Sequence, residues 1–242
     1  QYGDWDIEDR TQSLKNSNYA YRWTNNRQDP NSSDVEDFVI NYQFKEMYLR
    51  YFAWQFIGKG ESNWPLFSKK GKYIKSLDGI NAVRYFIPLA FLLGLFGFYY
   101  HFKRDWKRAL AILSLFAATG LMIIIYLNQY DPQPRERDYS YVGSFFAFSI
   151  WIGIGIAGLI EYIKKIFDEK NNIITYIVLA TCTFLMPITM INKDYKEHDR
   201  SGNYVAWDYA YNMLNSCDPY GIIFTNGDND TFPLWYLQEV EN

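Results

Sequence analysis

The chain has 242 residues, of which 49% are hydrophobic and 21% charged, and its formal net charge is −3 at pH 7. This length allows one large domain or two modest ones, and the charge excludes the global basic field of many nucleic-acid-binding domains. Two cysteines provide no disulfide framework, and two histidines are too few for a histidine metal site. Because the chain begins at Gln1 without a signal-peptide pattern, we expect it to be a piece of a longer protein.

The first 83 residues are predicted to form a loop on the outer side of a membrane, with one helix within it. Residues 1–37 are rich in Asn, Asp, Ser, Arg and Gln, which is typical of an exposed loop. In residues 38–58, three charged side chains interrupt a run of aromatic and aliphatic residues. This pattern predicts a helix that lies at the membrane surface or packs over a bundle. A fifth, polar-interrupted spanning helix is the alternative.

Four runs without a formal charge follow. They are residues 85–102, 109–130, 139–160 and 171–192. A membrane helix needs about 20 mainly apolar residues, a length that the last three runs reach and the first approaches. The sequence therefore predicts a mainly α integral membrane bundle over residues 84–192. It has four transmembrane helices, or five if residues 38–58 also cross.

Lys and Arg in the short links between the runs predict the orientation of the bundle. The links at 103–108 and 161–170 are rich in Lys and Arg, which favours the cytoplasmic side, whereas the link at 128–144 holds two arginines. We therefore expect residues 128–144 to face outward. The segments before and after the bundle then lie on the same outer side.

Residues 193–242 are predicted to begin a soluble periplasmic domain. Apolar residues at helical spacing over 201–217 indicate one amphipathic helix, and the apolar residues 222–224 indicate a short strand. A second helix is predicted over 232–241, with Thr231 as its N-cap. Helix, strand, loop and helix in this order predict the start of a soluble α/β domain.

The outward link at 128–144 holds the first group of candidate site residues. Arg135 and Arg137 flank a carboxylate beside several tyrosines, and arginine guanidinium groups match the geometry of phosphate. The pair is therefore predicted to bind a lipid phosphate at the membrane surface. Asp138 is the candidate catalytic residue, because a nearby carboxylate can take a proton from an acceptor hydroxyl. The alternative is an internal Arg–Asp salt-bridge cluster that locks the turn.

The second candidate site lies at residues 225–233, between the predicted strand and the last helix. Asp228 and Asp230 are predicted to form an acceptor site or to hold a divalent cation through hard oxygen ligands. The spacing partly matches an Asp-x-Asp-x-Thr phosphotransferase motif, but Phe232 stands where threonine would be needed. The alternative is a turn followed by a helix N-cap. The sequence contains no P-loop, Rossmann glycine pattern or zinc-ligand spacing.

Several longer strings resemble one known family. The strings RYFAWQFIGKG, YLNQYDPQPRERDYSYVGSFFAFSIWIGIG and FTNGDNDTFPLWYLQEVE are similar to the bacterial membrane family called domain of unknown function 2723. That family is described as similar to protein O-mannosyltransferases, with a membrane fold of the GT-C type. The resemblance covers most of residues 40–242.

The resemblance implies a multi-pass protein of the bacterial inner membrane with a periplasmic C-terminal region. It also implies transfer of a sugar from a polyprenyl-phosphate carrier to protein or glycan, with membrane lipids as further partners. In GT-C enzymes the catalytic carboxylate usually lies in the first outward loop, so the main catalytic loop is expected before Gln1. The alternative function is that of a non-catalytic membrane component of an envelope or secretion assembly. A transporter ranks third, because the four runs carry no charged residue at mid-depth.

Overall fold

A computed structural model describes residues 7–18, 20–25, 29–60, 79–133, 135–167 and 172–241. The chain divides into two compact units, Gln1–Lys193 and Asp194–Asn242. The described residues are mainly helical, and the two strands among them have two residues each. The prediction of a mainly α protein is therefore confirmed.

The described part of residues 7–38 contains three helices, where the sequence had predicted a loop. They are α1 (Ile7–Lys15), α2 (Tyr21–Thr24) and α3 (Ser32–Phe38). A capping box fixes the start of α3, because Asn31 Oδ1 accepts from the Asp34 backbone N–H at 2.9 Å and Asp34 Oδ2 accepts from the Asn31 N–H at 3.0 Å. Polar composition alone had suggested a loop, but these same polar side chains cap and connect short helices.

Helix α3 continues without a break through a π-helical segment, Val39–Leu49, into α4, Arg50–Phe56. This continuous helix packs over the bundle, which is one of the two arrangements predicted from its sequence. The Phe52 ring lies 4.8 Å from the Phe148 ring and 6.0 Å from the Phe116 ring. The helix therefore contributes an aromatic face to the main hydrophobic core. After α4, the strands β1 (Lys59–Gly60) and β2 (Gly79–Ile80) pair antiparallel.

The apolar runs form five helices in the described part of the chain. Those helices are α5 (Leu89–Arg104), α6 (Trp106–Thr119), α7 (Leu121–Leu127), α8 (Val142–Phe167) and α9 (Asn172–His198). Among the described residues, three helical stretches are long and apolar enough to cross a membrane. They are Trp106–Leu127, Asp138–Phe167 and Thr175–His198. The chain is thus a membrane protein by the length and composition of its helices.

The first apolar run does not reach the length of a spanning helix. Pro88 lies at the N-cap of α5 and not inside it, and α5 has 16 residues. At 1.5 Å per residue, α5 is about 24 Å long, shorter than the ~30 Å hydrocarbon core of a bilayer. The predicted number of four spanning helices is therefore reduced to three among the residues that the structure describes.

Two glycines bring α5 and α8 into direct backbone contact. A Cβ atom added at Gly97 would lie 1.8 Å from the Trp151 carbonyl oxygen, and one at Gly155 would lie 2.1 Å from the Leu93 carbonyl oxygen. Small residues that allow such an approach are typical of helix pairs in membranes. At Gly153 of α8, by contrast, an added Cβ atom would have no heavy atom of the described residues within 4 Å.

The second unit has its own small core. Helix α10 (Val205–Asn215) packs against α11 (Asp228–Tyr236), and α11 continues as a π-helical segment, Leu237–Glu241. The core residues are Ala210, Leu234 and Leu237.

The α/β prediction for residues 193–242 is wrong over the part of them that the structure describes. Residues 222–224 do not form a strand, and the Ile222 and Phe224 side chains are 85% and 91% exposed. A strand needs a neighbour to pair its backbone groups, and residues 194–241 contain no second strand. The last helix begins at Asp228, so Thr231 lies inside its first turn and is not the N-cap.

Candidate functional site

The link between α7 and α8 is held at its start by the π-helical segment. Gln43 Nε2 donates to Asn128 Oδ1 and to the Gln129 carbonyl oxygen, both at 2.9 Å. The Tyr42 hydroxyl donates to the Tyr130 carbonyl oxygen, also at 2.9 Å. These side chains satisfy backbone groups of the link where α7 has ended. The link therefore leaves the bundle along a fixed path.

Glu136 fixes the middle of the link to α4. The Arg50 guanidinium forms two hydrogen bonds with the Glu136 carboxylate, at 2.8 and 3.3 Å, and the Tyr51 hydroxyl donates to the same carboxylate. Arg50 Nε also lies 3.0 Å from Glu46 Oε1. The Arg50 side chain is only 9% exposed, so each of these contacts satisfies a charge that is largely out of water.

The aromatic rings beside Arg50 stabilise its guanidinium group in the ion pair with Glu136. The guanidinium carbon lies 4.5 Å from the centre of the Trp54 ring and 4.8 Å from that of Tyr51. Burial, and then the hydrogen bond to Glu136, raise the pKa of the Tyr51 hydroxyl above its ordinary value. Tyr51 therefore stays protonated at neutral pH and keeps its role as a donor. We call Arg50, Tyr51 and Glu136 the Glu136 clamp.

The three predicted site residues of the link surround the Glu136 clamp. Arg135 is exposed, and its Nη2 donates to the Tyr139 hydroxyl at 3.3 Å. The Arg137 backbone N–H donates to the Tyr51 hydroxyl at 3.2 Å, and Asp138 begins the short 3-10 helix Asp138–Tyr141. Neither arginine forms a salt bridge with Asp138 among the described residues. Glu136 holds the link where the sequence had suggested an internal Arg–Asp bridge.

Four buried polar atoms of the link have no hydrogen-bond partner among the residues that the structure describes. They are Nε2 and Oε1 of Gln129, Nε of Arg137 and the hydroxyl of Tyr141, a residue with 0% exposure. Buried polar groups in folded proteins are almost always hydrogen-bonded. Water or a polar ligand group at the inner side of the link would satisfy these atoms.

An apolar cavity borders the same helix α4 further along its length. Its volume is 330 Å³, and its lining comes from the end of α4, residues 85–90 and four residues of α9. Gln55 of this lining lies one helical turn, about 6 Å, beyond Tyr51 of the Glu136 clamp. The polar link and the apolar cavity are therefore close neighbours along α4.

The second predicted site lies in the second unit. Asp228 and Asp230 occupy the first turn of α11, where negative charge interacts favourably with the helix dipole. Thr231 Oγ1 donates to the Gly227 carbonyl oxygen at 2.9 Å, as expected at the start of a helix. No group of three or more His, Cys, Asp or Glu residues in the described ranges is placed to hold a metal ion. A cation or acceptor site at these two carboxylates stays a prediction.

One comparison with known proteins gives a match. Residues 206–242 match the family model described as TMEM260-associated domain 2. No curated protein and no solved structure matches the chain significantly. The matched segment includes Asp228 and Asp230 and lies outside the link at 128–144.

The sequence had not identified Arg50, Tyr51 and Glu136 as one group. A signal was available, because Arg50 is the one charged residue of a mainly aromatic and aliphatic sequence segment, RYFAWQF. A charged side chain on a helix that packs into a core requires a partner of opposite charge. The identity of that partner, 86 residues further along the chain, was not encoded in any local pattern.

Proposed function

We propose that the chain is part of a GT-C-like membrane glycosyltransferase. It would take a sugar from a polyprenyl-phosphate carrier and attach it to protein or glycan at the periplasmic face of the bacterial inner membrane. The observation that carries the proposal concerns the outward link. The Glu136 clamp already holds this link, and Arg135 and Arg137 have no carboxylate partner among the described residues.

Arginines at the end of a membrane helix that have no carboxylate partner in the described ranges suit a carrier phosphate. A guanidinium can donate two parallel hydrogen bonds to phosphate oxygens and keeps its charge at any physiological pH. When the sugar leaves the carrier, negative charge develops on the phosphate, and fixed positive groups stabilise that charge. Arg135 and Arg137 would act in this way. Asp138 would orient them or take the proton of the acceptor hydroxyl.

The apolar cavity supports a lipid carrier over a water-soluble donor. A polyprenyl chain is a long hydrocarbon, and the cavity of 330 Å³ is lined mainly by apolar side chains. Because the cavity and the Glu136 clamp lie one turn apart on α4, one molecule could place its phosphate at the link and the adjoining part of its chain in the cavity. The burial of that chain would contribute to affinity without sequence-specific contacts.

Removing the charge of both arginines should abolish most of the transfer. In the full-length protein, Arg135→Gln with Arg137→Gln should lower the rate of transfer from a lipid-linked sugar by about a hundredfold or more, since charge-stabilising donors are lost from the transition state. The control variant is Lys193→Gln with Arg200→Gln, which removes two exposed positive charges elsewhere and should keep the rate within about twofold. Unchanged transfer by a folded Arg135/Arg137 double variant would refute the proposal.

A second candidate function rests on the surface of the second unit. The Tyr220, Ile222 and Phe224 side chains, at 105%, 85% and 91% exposure, form an apolar stretch with no cover in this unit. Exposed apolar patches often mark protein–protein contacts. A non-catalytic component of an envelope or secretion assembly would use such a surface for docking. A defined envelope protein that co-purifies stably with the full-length protein, together with no binding of the lipid-linked sugar, would favour this function.

A further inference from the structure

Positive charge is concentrated at the C-terminal ends of α5 and α8. These ends lie away from the outward link at residues 128–144. Six basic residues occur there, four at the turn from α5 to α6 and two near the end of α8. They are Lys103, Arg104, Lys107, Arg108, Lys164 and Lys165. The ends of α5 and α8 lie together, because Arg104 forms an ion pair with Glu161 of α8. We call these six residues the basic end of the bundle.

The basic end carries more positive charge than its own carboxylates neutralise. Glu161 pairs with Arg104 and, at 3.1 Å, with Lys165. Asp105 Oδ2 lies 3.4 Å from Arg108 Nε, and Asp105 Oδ1 caps α6 by accepting from the Arg108 backbone N–H. The part of the chain that the structure describes offers no further carboxylate in contact with the other basic residues here. Among the described residues at this end, the six positive side chains therefore outnumber the two carboxylates.

Lys103 and Lys107 contact aromatic rings in place of carboxylates. Lys103 Nζ lies 5.9 Å from the centre of the Tyr99 ring, and Lys107 Nζ lies 6.0 Å from that of Trp106. The Tyr99 and Trp106 side chains are 61% and 57% exposed. Exposed tyrosine and tryptophan beside lysine are typical of the level at which lipid headgroups meet the hydrocarbon core.

The membrane helices place the basic end at this level. Trp106 is the first residue of the spanning stretch Trp106–Leu127, and the spanning stretch Asp138–Phe167 ends close to Lys165. An open depression of 340 Å³ at this end is lined in part by His101, Arg104, Asp105 and Arg108. The His101 Nδ1 atom there is buried and has no hydrogen-bond partner among the described residues. Positive charge and exposed aromatic rings therefore coincide at this end of the bundle.

We infer that the basic end binds the phosphate headgroup of an anionic phospholipid. Lys103 and Lys107 would provide the main attraction, because Arg104 and Arg108 are already paired, and Trp106 would contact the acyl chains below the headgroup. A membrane lipid accounts for both the positive charge and the aromatic rings, whereas a free phosphate ion accounts only for the charge. This inference does not depend on sugar transfer, because the basic end and the outward link lie at opposite ends of α8.

Quenching of Trp106 fluorescence by brominated lipids tests the inference directly. The full-length protein is placed in nanodiscs of phosphatidylglycerol and phosphatidylcholine, with bromine on the acyl chains of one lipid or of the other. The Trp106 signal is the difference between the wild type and Trp106→Phe. We expect brominated phosphatidylglycerol to quench this signal more strongly than its bulk fraction predicts. The apparent preference should fall about tenfold or more in Lys103→Gln with Lys107→Gln, since each lysine near a membrane surface contributes favourably to anionic-lipid binding.

The matched control is Lys193→Gln with Lys196→Gln. Both lysines are exposed and lie about 30 Å or more along α9 from Asn172, the residue at which that helix begins. This variant should keep the preference. In the wild type, high salt should remove the preference, because screening weakens exposed charges. Equal quenching by both lipids, or a preference that survives Lys103→Gln with Lys107→Gln, would overturn the inference. The inference would also be overturned if inorganic phosphate removed the preference for phosphatidylglycerol while another salt at the same ionic strength did not. The site would then bind soluble phosphate.

Discussion

Replacing Gly155 by alanine should lower the free energy of unfolding of the first unit, Gln1–Lys193, by about 3 kcal/mol. The added methyl group would lie 2.1 Å from the Leu93 carbonyl oxygen, which is part of the α5 backbone and cannot rotate away. The two helices must therefore separate, and the packing around Gly97 is lost with them. Thermal or denaturant unfolding in detergent, followed by tryptophan fluorescence, measures the change.

Gly153 provides the matched control on the same helix. A Cβ atom there meets no heavy atom of the described residues within 4 Å, so Gly153→Ala removes a flexible residue without a clash. It should leave stability unchanged or raise it by up to about 1 kcal/mol, because alanine favours the helix over glycine. Equal effects of the two substitutions would show that α5 and α8 do not pack through Gly155.

Replacing Arg50 by methionine should destabilise the protein by about 3 kcal/mol. The substitution leaves Glu46 without its partner and breaks the two hydrogen bonds to Glu136. The expected loss is at the low end for buried ion pairs, because the Glu136 side chain is 43% exposed and recovers some solvation. The middle of the link should also be held less firmly to α4, because Glu136 would keep its contact with Tyr51 and lose the one with residue 50. Higher protease accessibility of residues 133–137 would detect this.

Lys45→Met is the matched control for Arg50→Met. Lys45 lies on the same continuous helix. Its Nζ donates to Asn41 Oδ1 at 2.8 Å and has no carboxylate partner in the described ranges. Its loss should cost less than about 1 kcal/mol and leave the link protected. If Arg50→Met and Lys45→Met cost the same, or if the link stays protected in both, the Glu136 clamp does not hold the link.

The spanning helices could be predicted from the sequence because their requirement is local. A stretch of about 20 apolar residues is sufficient for a membrane helix, and the runs at 109–130 and 139–160 satisfy this without reference to any partner. The first run failed on a local detail, since Pro88 starts α5 and leaves it too short. The helices in residues 7–38 were missed because tertiary contacts and caps, and not apolar periodicity, stabilise short polar helices.

The strand predicted at residues 222–224 is an error of the opposite kind, because a local pattern suggested an element that the fold does not form. Three apolar residues between turn signals match a buried strand, but a strand also requires a pairing partner that no local pattern reports.

The candidate site was only partly predictable, because contacts between distant segments also leave no local pattern. The unusual composition of the link identified Arg135, Arg137 and Asp138, but only the fold shows that Glu136 pairs with Arg50. Which charges of a cluster are neutralised depends on contacts between distant segments.

Binding of a polyprenyl phosphate to the full-length protein is the most direct test of the proposed carrier site at Arg135 and Arg137. The uncharged polyprenol of the same length is the reference ligand, since it offers the same chain without the phosphate. Arg135→Gln with Arg137→Gln should weaken the binding of polyprenyl phosphate by about tenfold or more, because charge-assisted hydrogen bonds are lost, and should leave polyprenol binding unchanged. Equal affinity of the wild type and this folded variant for polyprenyl phosphate would contradict the proposed site.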